Sequence, residues 1–238
     1  MNPLQVLDLG RRPYAPVLNM QRALCRARIE GTLTDDVLLL VEHDSVVTLG
    51  RGARATSLPL PPDELRRRGI AVEDAERGGD VTWHGPGQLV GYPILDLARH
   101  RQDVHWYLRQ LEAALIDALA RLDVHGERAA GLTGVWTAGR KIASIGIHVK
   151  RWVTLHGFAL NVVGDLGPFE LIVPCGIAGV RMTNVAAERG GGDNPAALWR
   201  ETRAEVVAAI GRAFSLEPMA AALDGCLLRA TRPSSLHG

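Results

Sequence analysis

Cysteine and lysine are both scarce in this chain. The three cysteines, Cys25, Cys175 and Cys226, form an odd set with no C-x-x-C pair, which argues against a disulfide framework and a zinc knuckle. Lys141 and Lys150 are the only lysines, and arginine carries almost all of the basic charge. Such a chain raises the question of why lysine is kept at a given position, because arginine cannot lose its proton and a buried lysine can. No apolar run approaches the roughly 18–20 residues of a membrane span. Met1 to Pro16 contains neither an apolar core nor a small-residue cleavage site, so nothing marks export. Net charge is +1, without the basic field that nucleic-acid binding draws on. The expectation is a soluble, cytoplasmic protein, with neither nucleic acid nor a membrane among its partners.

With 238 residues, 47% of them hydrophobic and 22% charged, the chain has the composition of a globular protein of one large or two small domains. Val17, Met20, Leu24 and Ala27 recur at helical steps before Gly31, which predicts a helix over 16–30. Runs at 37–41 and 46–49 read as strands, and a short helix follows at 63–68. A glycine-dense segment, 77–88, leads into a strand over 89–97. Asp103 caps the clearest helix, which runs to 122 with Leu108, Leu111, Leu115, Ala118 and Leu122 on one face. Strands follow at 135–136, 141–149 and 152–163, the last two joined as a hairpin at Lys150-Arg151. A short strand at 171–173 ends in Pro174-Cys175-Gly176. Asn194, with Pro195 at the first helical position, opens a helix to 214. Strands clustered between helices without regular βαβ spacing predict an α/β (α+β) fold in one domain. The domain spans 1–215, and 216–238 reads as a loose tail.

Several near-motifs fail. Gly134 to Gly139 is followed by Arg140-Lys141-Ile142 and lacks the Lys-Ser/Thr ending of a phosphate loop. Gly85 to Gly91 is one residue too long for a dinucleotide fingerprint and precedes a strand. The eight histidines lack zinc-ligand spacing, so metal catalysis is not expected. What remains is Cys175, at a strand-end turn between Pro174 and Gly176, where a side chain is exposed and a helical turn from Ile177 would offer its amides to a thiolate. A regular strand puts Lys141 on the face of Ala143, Ile145, Ile147 and Val149, where it loses hydration and can act beside a thiol as a base. An inert buried cysteine and a lysine with its head in water are the competing readings. His84 and His156 are each followed by a glycine, which would let a ligand approach the backbone.

The segment Arg77-Gly-Gly-x-x-Thr82-x-His84-Gly-Pro-Gly-Gln88 resembles the signature of the lipoyl(octanoyl) transferases. Other elements occur in that family's order: Gly139-Arg-Lys141-Ile-Ala-Ser144-Ile-Gly146, His156-Gly157-Phe-Ala-Leu-Asn161 and Pro174-Cys175-Gly176-Ile177. The likeness covers residues 5–215. It implies the fold of biotin protein ligase and lipoate–protein ligase catalytic domains, a mixed β-sheet with flanking helices. The implied activity is transfer of an octanoyl or lipoyl group from acyl carrier protein to a lysine of lipoyl domains in 2-oxoacid dehydrogenase complexes and of the glycine cleavage H protein. Carried over, Cys175 would form the acyl thioester and Lys141 would handle protons. Arg77, Gly78, Gly79, Asp80, Val81, Thr82, Trp83 and His84 would line the acyl site, with Ser144, Ile145, Gly146, Gly157, Phe158 and Ala159, and His156 in support. Asp80 departs from the amide or basic residue expected there. No cofactor is implied, and a monomer is expected. Acidic partners would be met by Arg140, Lys150 and Arg151 near the site. The alternatives are an ATP-using ligase on the same fold, which needs no nucleophilic cysteine, and a noncatalytic binding module.

Overall fold

The computed structural model describes residues 1–177 and 179–222. In chain order its elements are β1 (Asn2–Arg12), α1 (Tyr14–Ile29), β2 (Asp36–His43), β3 (Val46–Leu49), α2 (Pro62–Arg67), β4 (Ala71–Asp74), β5 (Val81–His84), β6 (Gln88–Ile94), α3 (Val104–Arg121), β7 (Val135–Thr137), β8 (Arg140–Lys150), β9 (Val153–Asn161), α4 (Val185–Glu188), α5 (Pro195–Phe214) and β10 (Leu216–Ala220). The main sheet is seven-stranded, in the order β10-β1-β2-β6-β9-β8-β7, and β4-β3-β5 form a smaller sheet. Both are mixed: β1 runs parallel to β2 and β10, while β2-β6-β9-β8-β7 is antiparallel throughout.

The apolar run of β2 is continuous because the strand is covered on both faces. Leu38 and Leu40 point into a core shared with Leu111, Leu115 and Ala118 of α3 and Ile210 of α5. Leu39 and Val41 point the other way, against Val17 and Leu24 of α1. Helix starts follow local capping. Asp103 accepts from the Trp106 N–H at 2.9 Å, and Asn194 from the Ala197 N–H at 3.0 Å. Among the described residues, no helix is long and apolar enough to cross a membrane.

Two sequence expectations are corrected. Residues 171–173 form no strand: Gly167–Leu171 and Pro174–Gly176 are 3-10 turns, each with a proline near its start that favours a turn over a ladder. Nor does the domain end at 215. Leu216–Ala220 is β10, paired in parallel with β1, and Leu216 is buried in the core. Pro218 makes that segment look unlike a strand, but it lies at the sheet's edge, where its missing N–H breaks no inner ladder. Cys226 and the rest of the expected tail lie outside the described residues.

Candidate active site

Lys141 reaches its position through a β-bulge. Val135 pairs with Ala143 and Trp136 with Lys141, so β8 carries one residue more than β7 across that step. Ile142 and Ala143 both enter the core, and the expected alternation breaks there. Lys141 is thereby turned out of the apolar face on which the sequence placed it and lines a cavity instead. It is only 2% exposed, and its Nζ lies 5.5 Å from the Trp136 ring centroid.

Across the cavity edge, Nζ donates to Cys175 Sγ at 3.2 Å. Cys175 is half-buried in the Pro174–Gly176 turn and has a left-handed backbone, φ 56° and ψ 18°. The helical turn expected after it is absent: Ile177 is extended, at φ −102° and ψ 104°. Lys141, rather than a helix terminus, is the group that faces the thiol.

The cavity holds about 320 Å³, at the small end of the roughly 300–1,000 Å³ of ligand sites. One wall is the β4–β5 connection. There Arg77 is buried and donates to the carbonyls of Gly78 (3.2 Å), Asp80 (2.8 Å) and Thr48 (2.7 Å) and to the Thr48 hydroxyl (2.8 Å). These acceptors are neutral, so its positive charge stays uncompensated by them. The Gly78 N–H in turn donates to the Ile147 carbonyl at 2.8 Å, which docks this wall on β8. The opposite wall comes from Ser144, Ile145 and Gly146 of β8 and Gly157, Phe158 and Ala159 of β9.

Aromatic rings close the remaining side. Tyr14 stacks on His84 with planes 7° apart, and Tyr92 meets His156 edge to face. His84 Nδ1 lies 2.7 Å from the Gln88 side-chain oxygen, and the Gln88 amide nitrogen donates to Asn161 at 2.9 Å. This orientation makes Nδ1 the protonated nitrogen, leaving the other as acceptor. Burial, reinforced by His43, pushes His84 down to about 3. Burial likewise lowers His156 to about 4, with Glu76 opposing it. The ring surface is therefore uncharged at neutral pH.

The structure thus gathers Arg77, Gly78, Gly79, Asp80, Thr82, His84, Lys141, His156 and Cys175 with the β8 and β9 residues around one cavity. Val81 and Trp83 are not among them. Strand alternation in β5 turns them into the core of the small sheet, where Trp83 Nε1 donates to Ser45 Oγ at 2.8 Å. Lys150 and Arg151 do not border the site either, because nine residues of β8 put Lys150 about 30 Å from Lys141. Arg140 is nearby but is paired with Glu188 at 2.9 Å. Tyr14, Val90, Tyr92 and Ile147 also line the cavity. Sequence reading missed Val90, Tyr92 and Ile147 because each sits in an apolar strand that reads as core, and Tyr14 because it stands ahead of the expected helix start.

A family model for the lipoyl protein ligase A/B catalytic domain matches residues 13–214. An octanoyltransferase of Nostoc sp. (strain PCC 7120) is 48% identical over 216 residues, covering 91% of this chain and 94% of its own. One from Synechococcus elongatus is 54% identical over 173 residues, 73% of each chain. Among solved structures, a bi-partite lipoate protein ligase described with its E2 lipoyl domain from Thermoplasma acidophilum superposes with a TM-score of 0.74 over 97% of this chain and 91% of that one. At 16% identity that likeness speaks for the fold alone. On sequence and fold together, the chain belongs to the lipoyl protein ligase A/B catalytic-domain family and stands there with the octanoyltransferases.

Proposed function

We propose that this enzyme moves an octanoyl group from acyl carrier protein to the target lysine of a lipoyl domain through an acyl thioester on Cys175. The observation that carries the reading is Lys141 Nζ at 3.2 Å from Cys175 Sγ, beside a cavity with a largely apolar wall. The names of the related octanoyltransferases support the acyl group, and the lipoyl domain described with the structural neighbour supports the acceptor.

In the first half-reaction Lys141 takes the thiol proton, and the Cys175 thiolate attacks the donor's thioester carbonyl. A C–S bond forms to Cys175 and the one to the carrier breaks, with the ammonium returning a proton to the departing thiolate. One thioester replaces another, so no separate activation is required. In the second half the acceptor amine attacks acyl-Cys175. Lys141 accepts a proton from nitrogen and delivers it to sulfur as the C–S bond breaks. Pairing a buried ammonium with a thiolate also offsets the desolvation of both. Ile145, Val90 and Ala159 give the chain an apolar wall, and Gly78 and Gly146 present bare backbone to it.

The test is intact-protein mass after mixing with octanoyl-carrier protein. The wild type gains one octanoyl group at Cys175, and Cys175→Ala stays folded and gains none. Octanoyl transfer by Cys175→Ala at the wild-type rate overturns the covalent route.

A further inference from the structure

The left-handed Cys175 is followed by a second left-handed residue, Gly176 at φ 67°. A non-glycine residue in that region is strained by about 1–2 kcal/mol and persists only where its surroundings hold it. Two contacts from the β3–α2 connection do so. The Val173 N–H donates to the Ser57 carbonyl at 2.9 Å, and Arg54 Nη2 donates to the Gly176 carbonyl at 3.2 Å. They bracket Cys175 on either side.

Both of these anchors converge on one carboxylate. Asp80 accepts from Ser57 Oγ at 2.6 Å, from Arg54 Nε at 3.3 Å, from the Arg54 N–H at 3.2 Å and from the Val81 N–H at 2.8 Å. Its side chain is 7% exposed, whereas that of Arg54 is 64% exposed and is oriented by this bond. A Cβ at Gly176 would fall 2.5 Å from Asp80 Oδ2, so glycine is what lets the carboxylate come so close to the turn. Burial pushes the Asp80 carboxyl up, but its hydrogen bonds from Ser57, Arg54 and Val81 hold it below the usual range and keep it ionised.

We propose that Asp80 is a positioning residue. Through Arg54 and Ser57 it clamps the turn that carries Cys175 and fixes Sγ against Lys141. The sequence marked Asp80 as an acyl-site liner and as the departure from the family pattern. The clamp gives this chain's aspartate a task of its own. Its relevance to turnover rests on the proposed role of Cys175, but the clamp itself does not.

The experiment compares the wild type with Asp80→Asn, Arg54→Ala and Arg54→Lys. Iodoacetamide alkylation of Cys175 is followed from pH 5 to 9 by peptide mass, which separates it from Cys25 and Cys226. Single-turnover octanoylation is measured beside it. Asp80→Asn and Arg54→Ala should slow octanoylation about 10- to 100-fold with the donor KM unchanged, and shift the alkylation profile. Arg54→Lys should fall between, because an ammonium lacks the fork that bonds Asp80 and Gly176 together. Wild-type rates and an unshifted profile in Asp80→Asn and Arg54→Ala overturn the proposal. Should Asp80→Asn fail to fold, the exposed Arg54 variants decide alone. Alkylation needs no acyl donor, so a clamp-dependent profile in a protein that never octanoylates supports the clamp while removing the proposed function.

Discussion

Position 141 separates charge from proton transfer. Lys141→Arg keeps the cation beside Cys175 but removes the group that can give up and recover a proton. Turnover in this variant should drop by about 100-fold or more across pH 6–9, close to the loss in Lys141→Ala. Full activity of the arginine variant in a steady-state assay would reduce Lys141 to an electrostatic role. Two cavity glycines divide in the same informative way. A Cβ at Gly146 would lie 3.0 Å from Arg77 Cδ and 3.1 Å from the Gly78 carbonyl oxygen, a tight fit that a shift of a few tenths of an ångström relieves. Gly146→Ala should therefore fold and shift preference toward shorter acyl chains in a competition of six-, eight- and ten-carbon donors. A buried methylene is worth about 0.8 kcal/mol, so each two-carbon step is resolvable. At Gly157 the Cβ would run into the Gly91 carbonyl oxygen and sit 2.6 Å from Pro93 Cδ, inside the sheet. Gly157→Ala should instead destabilise the fold by about 1–3 kcal/mol, read by denaturant unfolding.

The β8–β9 hairpin turns on Arg151 and Trp152, both left-handed at φ 50° and 67°, with Lys150 paired to Val153. A two-residue turn of this kind favours Asn-Gly, and neither residue present suits it. Replacing Arg151-Trp152 by Asn-Gly should stabilise the protein by about 1 kcal/mol, a Tm rise of about 2–4 °C. Acylation of Cys175 should be unchanged, because the turn lies at the far end of β8 from Lys141. α3, α5 and this hairpin were legible because caps, turns and periodicity act over a few residues, although the turn lies one residue beyond the expected Lys150-Arg151, since Lys150 still pairs with Val153. The glycine-rich 77–88 segment and the Pro174-Cys175-Gly176 turn were legible as motifs. The bulge at Ile142 was not, since the extra residue is defined by its pairing with β7 and leaves no mark in β8's own sequence. β10 was hidden by Pro218, whose edge position only the sheet order reveals. The Asp80 clamp was invisible too, because its partners Arg54 and Ser57 lie over twenty residues away.

Protonation acts on the molecule as a whole through its buried rings. Burial foremost lowers His43 to about 4, with the Arg12 carbonyl and Asp44 opposing it, and His84 and His156 lie at about 3 and about 4 against an ordinary value of 6.5. In the window between these values and 6.5 the unfolded chain binds protons that the folded chain refuses. Stability is therefore complete above about pH 6.5 and is lost as pH falls below it. Each ring contributes about 1.4 kcal/mol per pH unit there. Thermal melts from pH 7.5 to 4.5 should show a steep fall in Tm, and His43→Gln should make that fall shallower by one proton's share. An equal slope in the variant would show that His43 is not neutral in the fold. The same long reach governs how the site comes into being. The Arg54 bond to Gly176 spans 122 residues, and the His156 N–H finds its acceptor on Gln21, 135 residues away. Closing such loops is entropically costly and late, and chains dominated by distant pairings fold in milliseconds to seconds. During refolding, helical signal should recover before Cys175 acquires its native alkylation rate, so the thiol's reactivity counts finished molecules while circular dichroism counts collapsed ones.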